Sequence, residues 1–227
     1  MTKSTLQYVK SGIVAAAIIT AQGAFAGSTF HPALDVQGAA GYFTYKSKYV
    51  LSNDTGLRYD YQSSIYAGDS RNFSIMVRGN MQSANFELVT KKLESSTTDV
   101  IIRYYLGPVY FGPAVGISNI AYSEGGGTPT FDLSERHYGG NAGVEFAAMR
   151  NGMVRLDVLA TMQYDAKEVS NQTIELGTRI EADLGIEIPI SKRFRIITGA
   201  KYIMYSVASQ AETITMPYGG LKGEFDF

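Results

Sequence analysis

Two histidines and a long alternating series of charges are the residues of this chain with chemistry to offer. His137 follows Glu135 by two positions, with Ser134 beside them, so on an extended segment Glu135 and His137 share one face. A general base needs a proton within reach and a partner that orients it. No Asp-x-His or His-x-Ser string stands here, so His137 is expected to be a polar wall or rim residue and not a catalyst. His31 sits next to Pro32, ahead of the first alternating segment, and reads as a solvated tail residue. Gly68-Asp69-Ser70 is a turn signal without the strand-to-helix context of a nucleophile elbow.

Other chemistries are excluded by what the chain lacks. It has no cysteine, which removes disulfides, thiolate metal sites, a Cys nucleophile and a lipidated N-terminal Cys. Two isolated histidines give no zinc set, and Asn53-Asp54-Thr55-Gly56 lacks the later acidic ligands of a calcium loop. Gly125-Gly126-Gly127 does not lead from a strand into a helix, so it is no phosphate cradle. A net charge of −1 offers no basic footprint for nucleic acid. No catalytic, metal or cofactor site is expected.

The charges form the larger constellation. Read at alternate positions, Arg58, Arg78, Arg103, Arg155, Arg179, Arg195, Lys201 and Lys222 share a face with Asp60, Asp99, Glu135, Glu145, Asp157, Glu175, Glu181, Asp183, Glu187 and Glu224. The opposite face carries Tyr59, Tyr61, Phe73, Val77, Ile102, Tyr104, Phe111, Val115, Phe146, Phe194 and Tyr202. Charges withdrawn from bulk water must pair or stay hydrated. Near balance of sign therefore predicts interlocked Arg–carboxylate pairs, where a selective pore would bias one sign. The expected core of this network is Arg58, Asp60, Arg78, Arg103, Arg155, Asp157, Arg179, Glu181, Asp183 and Lys201. Arg155 and Asp157 are expected to meet Arg179, Glu181 and Asp183 across two neighbouring strands.

The elements that must position these charges are strands. From Val154, the residues Val154, Leu156, Val158, Ala160, Met162 and Tyr164 lie on one face and Arg155, Asp157, Thr161 and Gln163 on the other, with Leu159 the one apolar intruder. A helical period would mix the two sets. Ten such segments are predicted, roughly 34–45, 57–67, 72–82, 98–106, 109–122, 133–148, 153–164, 173–190, 194–206 and 213–227. Short turns follow the even segments, at Gly68-Asp69-Ser70-Arg71, Gly107-Pro108, Arg150-Asn151-Gly152 and Ser191-Lys192-Arg193. Longer polar stretches follow odd ones, such as Lys46–Gly56 and Ser123–Asp132. The fold class is all-β, an antiparallel up-and-down barrel of about ten strands, with eight as the alternative. Whether the charged face points inward, as in a membrane barrel, or outward to water is not settled by periodicity.

The two ends of the chain bear on that choice. Lys3 and Lys10, the apolar run Gly12–Thr20 and Ala24-Phe25-Ala26 have the three-part form of a cleavable signal peptide. Residues 1–26 are thus expected to be removed, leaving 27–227 as a single barrel domain. At the other end, Gly219, Leu221, Gly223, Phe225 and Phe227 alternate with polar residues, and the last residue is Phe. This resembles the C-terminal signal by which outer-membrane barrels are recognised for insertion. Together with the signal peptide and strand parity, it makes the chain similar to small bacterial outer-membrane β-barrels of the OmpA/OmpX type and their ten-stranded relatives. The resemblance implies a location in the bacterial outer membrane, contact with its lipid, and reading of Leu221, Phe225 and Phe227 by the barrel-insertion machinery. Enzymes exist among such barrels, but the Asp-x-His element of the omptin proteases is missing here. The expected function is a non-enzymatic, monomeric barrel presenting extracellular loops for envelope structure, surface interaction or adhesion. Its rival is a narrow channel for small polar solutes or a small hydrophobic ligand, and a rim-located hydrolase or acyltransferase stands third.

Overall fold

Period-two alternation commits a backbone to strands, and ten of them close on themselves in this chain. The computed structural model describes residues 33–46, 54–67, 72–86, 91–124, 129–148, 152–168, 177–207 and 210–226. The expected signal peptide, His31, the glycine run 125–127, Asn53, Glu175, Phe227 and the turn at 68–71 lie outside them. The strands are β1 (Ala33–Lys46), β2 (Asp54–Ala67), β3 (Phe73–Phe86), β4 (Lys91–Leu106), β5 (Val109–Glu124), β6 (Pro129–Ala147), β7 (Met153–Glu168), β8 (Thr178–Pro189), β9 (Phe194–Val207) and β10 (Gln210–Asp226). Each pairs antiparallel with its sequence neighbour, and β10 closes on β1. The count is ten, not eight. Full closure leaves no unpaired strand edge, which is what lets a sheet exist in hydrocarbon.

The short-turn end is built as its residues dictate. Gly107 adopts φ +62° between β4 and β5, a conformation glycine takes without steric cost. Between β8 and β9, Ser191 Oγ accepts from the backbone N–H of Arg193 at 3.2 Å and of Phe194 at 3.1 Å. At the opposite end the expectation of long loops needs correction. Ser123 and Glu124 belong to β5, Pro129–Asp132 to β6, Lys46 to β1 and Asp54–Gly56 to β2. β4 begins at Lys91, where alternation suggested residue 98, because Lys91–Thr98 reads Lys-Lys-Leu-Glu-Ser-Ser-Thr-Thr and has no apolar face to recognise. These strands continue past their apolar stretch as polar β-structure. β8 is shorter than expected, starting at Thr178.

The amphipathicity is inverted relative to a water-soluble barrel. Leu106 is 68% exposed, Ile190 59% and Leu221 59%, all on the outer surface, whereas Arg58 is 1% exposed inside. Outward apolar side chains run to the short-turn end at Val109, Phe146 and Phe194. Towards the other end the outward set turns polar, at Ser83, Glu94, Ser134 and Arg136. A sheet closed around ions and coated with apolar side chains is stable only where lipid replaces water outside.

Ladder rungs climb around this wall. One rung joins Leu221, Gly38, Tyr61, Gly79, Thr98, Ile117 and Arg136. Leu221 lies five residues from the strand end Asp226, but Arg136 lies eleven from Ala147. The rung therefore rises away from the short-turn end as it passes from β10 to β6, the expression of strand tilt in a closed barrel.

Candidate functional site: the lumen

Every second residue of each strand points into the barrel, and about as many of the buried side chains are charged as are apolar. Eight cations (Arg58, Arg78, Arg103, Arg155, Arg179, Arg195, Lys201, Lys222) meet eight carboxylates (Asp35, Asp60, Asp99, Asp157, Glu181, Asp183, Glu187, Glu224) in one connected set of ion pairs. All ten expected core residues belong to it. Asp35 joins it unforeseen, through Lys222 at 3.2 Å. Glu135, expected among the carboxylates, is buried and accepts from Gln163 instead.

Two hubs organise the network. Arg78 on β3 reaches Asp99 on β4 at 3.4 Å, Asp157 on β7 at 3.5 Å and Glu181 on β8 at 3.3 Å, so one guanidinium ties four strands together. Glu181 gathers Arg58 at 3.6 Å, Arg78 at 3.3 Å, Arg179 at 3.8 Å and Lys201 at 3.5 Å. Some of these bonds run along the wall and others across the lumen: the expected contact between β7 and β8 forms between Arg155 and Asp183 at 3.7 Å, whereas Asp157 is met by Arg78 and Arg103 from β3 and β4. On β7 and β8 the residue directly opposite Asp157 is Asp183, and the residue opposite Arg179 is Thr161. Like charges facing each other destabilise a ladder pair, so their compensation must come from elsewhere. Arginine's reach and forked donors allow it to come from the far wall.

The facing aspartates are held in two matching settings. Tyr110 on β5 donates its hydroxyl to Asp157 at 2.6 Å, while the Arg103 guanidinium lies 4.2 Å from the Tyr110 ring centre and also binds Asp157. Tyr218 on β10 donates to Asp183 at 2.7 Å, with the Lys201 ammonium 5.6 Å from its ring centre. Each ring covers the glycine paired with it on the next strand, Gly143 under Tyr110 and Gly199 under Tyr218. A Cβ on Gly143 would lie 2.3 Å from the Tyr110 ring, and one on Gly199 2.7 Å from the Tyr218 hydroxyl. Sequence reasoning did not single out either tyrosine. The usable signal was a glycine in the interior of a strand, which marks a close approach, but its partner is known only once the register is known.

His137 is placed by the same device. It pairs with Gly116, whose Cβ would fall 2.4 Å from His137 Nε2, and Nε2 lies 2.6 Å from Asp99 Oδ1. Asp99 Oδ2 also accepts from Arg179 at 2.7 Å. The β6–β7 register shifts between Arg136 and His137, a bulge that sets the ring into this pocket. His137 is 2% exposed and its carboxylate partner is held by two arginines. The arrangement orients a histidine but aims it at no open space.

A small void remains among the described residues of the network. The void at the centre of the network, bordered by Gln37, Arg58, Arg78 and Lys201, is about 20 Å³. That is room for roughly one water molecule. Apolar clusters complete the filling: Phe43, Ile203, Ile214 and Met216 with Ala84 on one side, and Met76, Ile101, Ala114 and Leu159 on the other. Of the expected insertion-signal residues, Leu221 faces outward, Phe225 packs edge-on against Phe194 at 6.4 Å, and Phe227 lies outside the described residues.

No family model and no curated protein matches the chain. Solved structures do resemble it. Neisserial surface protein A is 14% identical over 85% of this chain and 99% of its own, with a TM-score of 0.41. The outer-membrane protease OmpT from Escherichia coli is 10% identical over 87% and 99%, at 0.44. The β domain of the Bordetella autotransporter BrkA is 8% identical over 86% and 98%, at 0.48. Likeness at this level carries no functional inference. The chain's own geometry makes it a closed, ten-stranded, antiparallel transmembrane β-barrel with an ion-filled interior.

Proposed function

We propose that this protein is a non-conducting, non-enzymatic barrel of the bacterial outer membrane, whose rigid wall presents polar strand ends and their connections to the outside. One observation carries the reading: an ion network with members or hydrogen-bonding partners on all ten strands occupies the lumen, and the void at its centre is about 20 Å³. Passage of hydrated solutes requires a continuous aqueous path, which barrels of about eight strands fill with side chains and only much larger ones open. The short-turn end then faces the periplasm, and the polar extensions of β4, β5 and β6 face outward. The last strand, through Leu221, Phe225 and Phe227, is the segment read by the insertion machinery.

Single-channel recording on the refolded full chain in planar bilayers tests this. The wild-type barrel is expected to show no unitary conductance while retaining heat-modifiable gel mobility. Regular conductance steps from a folded preparation would transfer the assignment to a narrow channel.

A further inference from the structure

We propose that the turn between β8 and β9 docks the headgroup of an anionic phospholipid in the leaflet at the short-turn end, with Lys192 and Arg193 receiving its phosphate. Both cations are exposed, and among the described residues neither enters an ion pair. Glu224 of β10 donates its backbone N–H to the Arg193 carbonyl at 2.8 Å, but its carboxylate is held by Arg195 at 2.7 Å and Lys222 at 3.3 Å. The turn is fixed by its own hydrogen bonds. Ser191 Oγ accepts from the backbone N–H groups of Arg193 and Phe194, and the Ile190 N–H donates to the Phe194 carbonyl at 2.9 Å. Two cationic side chains thus stand at the tip of a defined three-residue connection. The tight turn between β4 and β5, Gly107-Pro108, carries no charge.

Depth selects the occupant. Ile188, Ile190 and Phe194 are all exposed on the outer surface, so apolar side chains of the lipid-covered wall flank the turn on both sides. A chain spans at most about 3.5 Å per residue, so the Lys192 backbone stands no more than about 7 Å beyond Ile190 or Phe194. That is the headgroup layer, and long cationic side chains at the edge of hydrocarbon turn their charge towards it. A partner farther out in the periplasm lies beyond a turn this short. Charge complementarity then gives the class. Two cations without carboxylates suit a headgroup of net negative charge, whereas a zwitterionic one brings its own cation into the site. The inference rests on the transmembrane reading, which it deepens by naming the lipid, and not on whether the lumen conducts.

Native mass spectrometry of the refolded full chain tests the site, with the barrel released from micelles doped equally with dioleoyl phosphatidylglycerol and dioleoyl phosphatidylcholine. The two probes share acyl chains and phosphate and differ in net headgroup charge. A lysine or arginine beside an anionic lipid surface gains about fivefold in affinity, so wild type should retain the phosphatidylglycerol in about thirtyfold preference. Lys192→Gln and Arg193→Gln should each lose about fivefold, and the double variant should fall to near parity. Lys46→Gln, which removes an exposed cation at the opposite end of the barrel, should keep the wild-type preference. Raising the ionic strength should erase the preference of wild type, which tests the charge pairing even where the double variant fails to refold. Equal retention of both lipids by wild type, a preference that survives the double substitution or high salt, or capture of purified peptidoglycan by these two residues in place of lipid would overturn the proposal. Flotation with vesicles separates the two readings. A barrel that floats without a headgroup preference refutes this site alone, and one that does not float refutes the transmembrane reading beneath it.

Discussion

Replacing Arg78 with alanine is the most informative perturbation of the lumen. Its guanidinium contacts Asp99, Asp157 and Glu181, on three different strands. Removing one partner from a buried ion pair costs about 3–5 kcal/mol, because the other charge stays behind uncompensated. Here each carboxylate keeps other partners. Asp99 retains Arg179 and His137, Asp157 retains Arg103 and Tyr110, and Glu181 retains Arg58, Arg179 and Lys201. The expected loss is therefore at the lower end, about 3 kcal/mol. Arg78 also borders the central void, so its truncation enlarges that void. Urea unfolding of the refolded barrel, followed by gel mobility and circular dichroism, should show a lower midpoint with unchanged slope. Planar bilayers should show conductance steps that the wild type lacks. An unchanged midpoint together with unchanged conductance would refute the coupled network and mean that the charges are independently hydrated.

Four further predictions test separate features. Tyr110→Phe removes the hydroxyl that donates to Asp157 at 2.6 Å and should cost about 1.5–3 kcal/mol in the same titration, the scale for a hydrogen bond to a charged group. Gly116→Ala places a Cβ 2.4 Å from His137 Nε2 and 2.6 Å from both Asp99 Oδ1 and the Thr98 carbonyl oxygen, so it should lower the midpoint by about 1–3 kcal/mol, and the His137→Ala background should relieve only the part due to the ring. Leu184→Arg on the lipid face should cost about 2–4 kcal/mol if the residue lies at the hydrocarbon midplane, and little if the face is wet. Because the chain has no cysteine, single thiols report topology cleanly: Ser123→Cys should react with an impermeant maleimide on intact cells and Lys192→Cys should not, and the reverse labelling would invert the barrel.

The sequence by itself determined the architecture, because strand formation and sidedness are local. Alternation along Val154–Tyr164 defines two faces whatever the rest of the chain does, and ten repetitions punctuated by turns such as Gly107-Pro108 leave an up-and-down barrel as the economical closure. The same alternation assigned every expected network residue to one face, and the structure puts all ten in the lumen. Where apolar side chains stop, alternation stops carrying information, so the polar continuation of β4 from Lys91 was invisible. Partnership was equally out of reach. Which aspartate meets which arginine depends on register and on the width of the lumen. The β7–β8 register sets Asp157 against Asp183, and only closure brings Asp157 its cations Arg78 and Arg103 from β3 and β4. The niches at Gly116, Gly143 and Gly199 belong to the same class, since a glycine shows that something approaches closely but not what. Local periodicity specifies a wall; the long-range Coulombic and steric matching inside it is decided when the tenth strand meets the first.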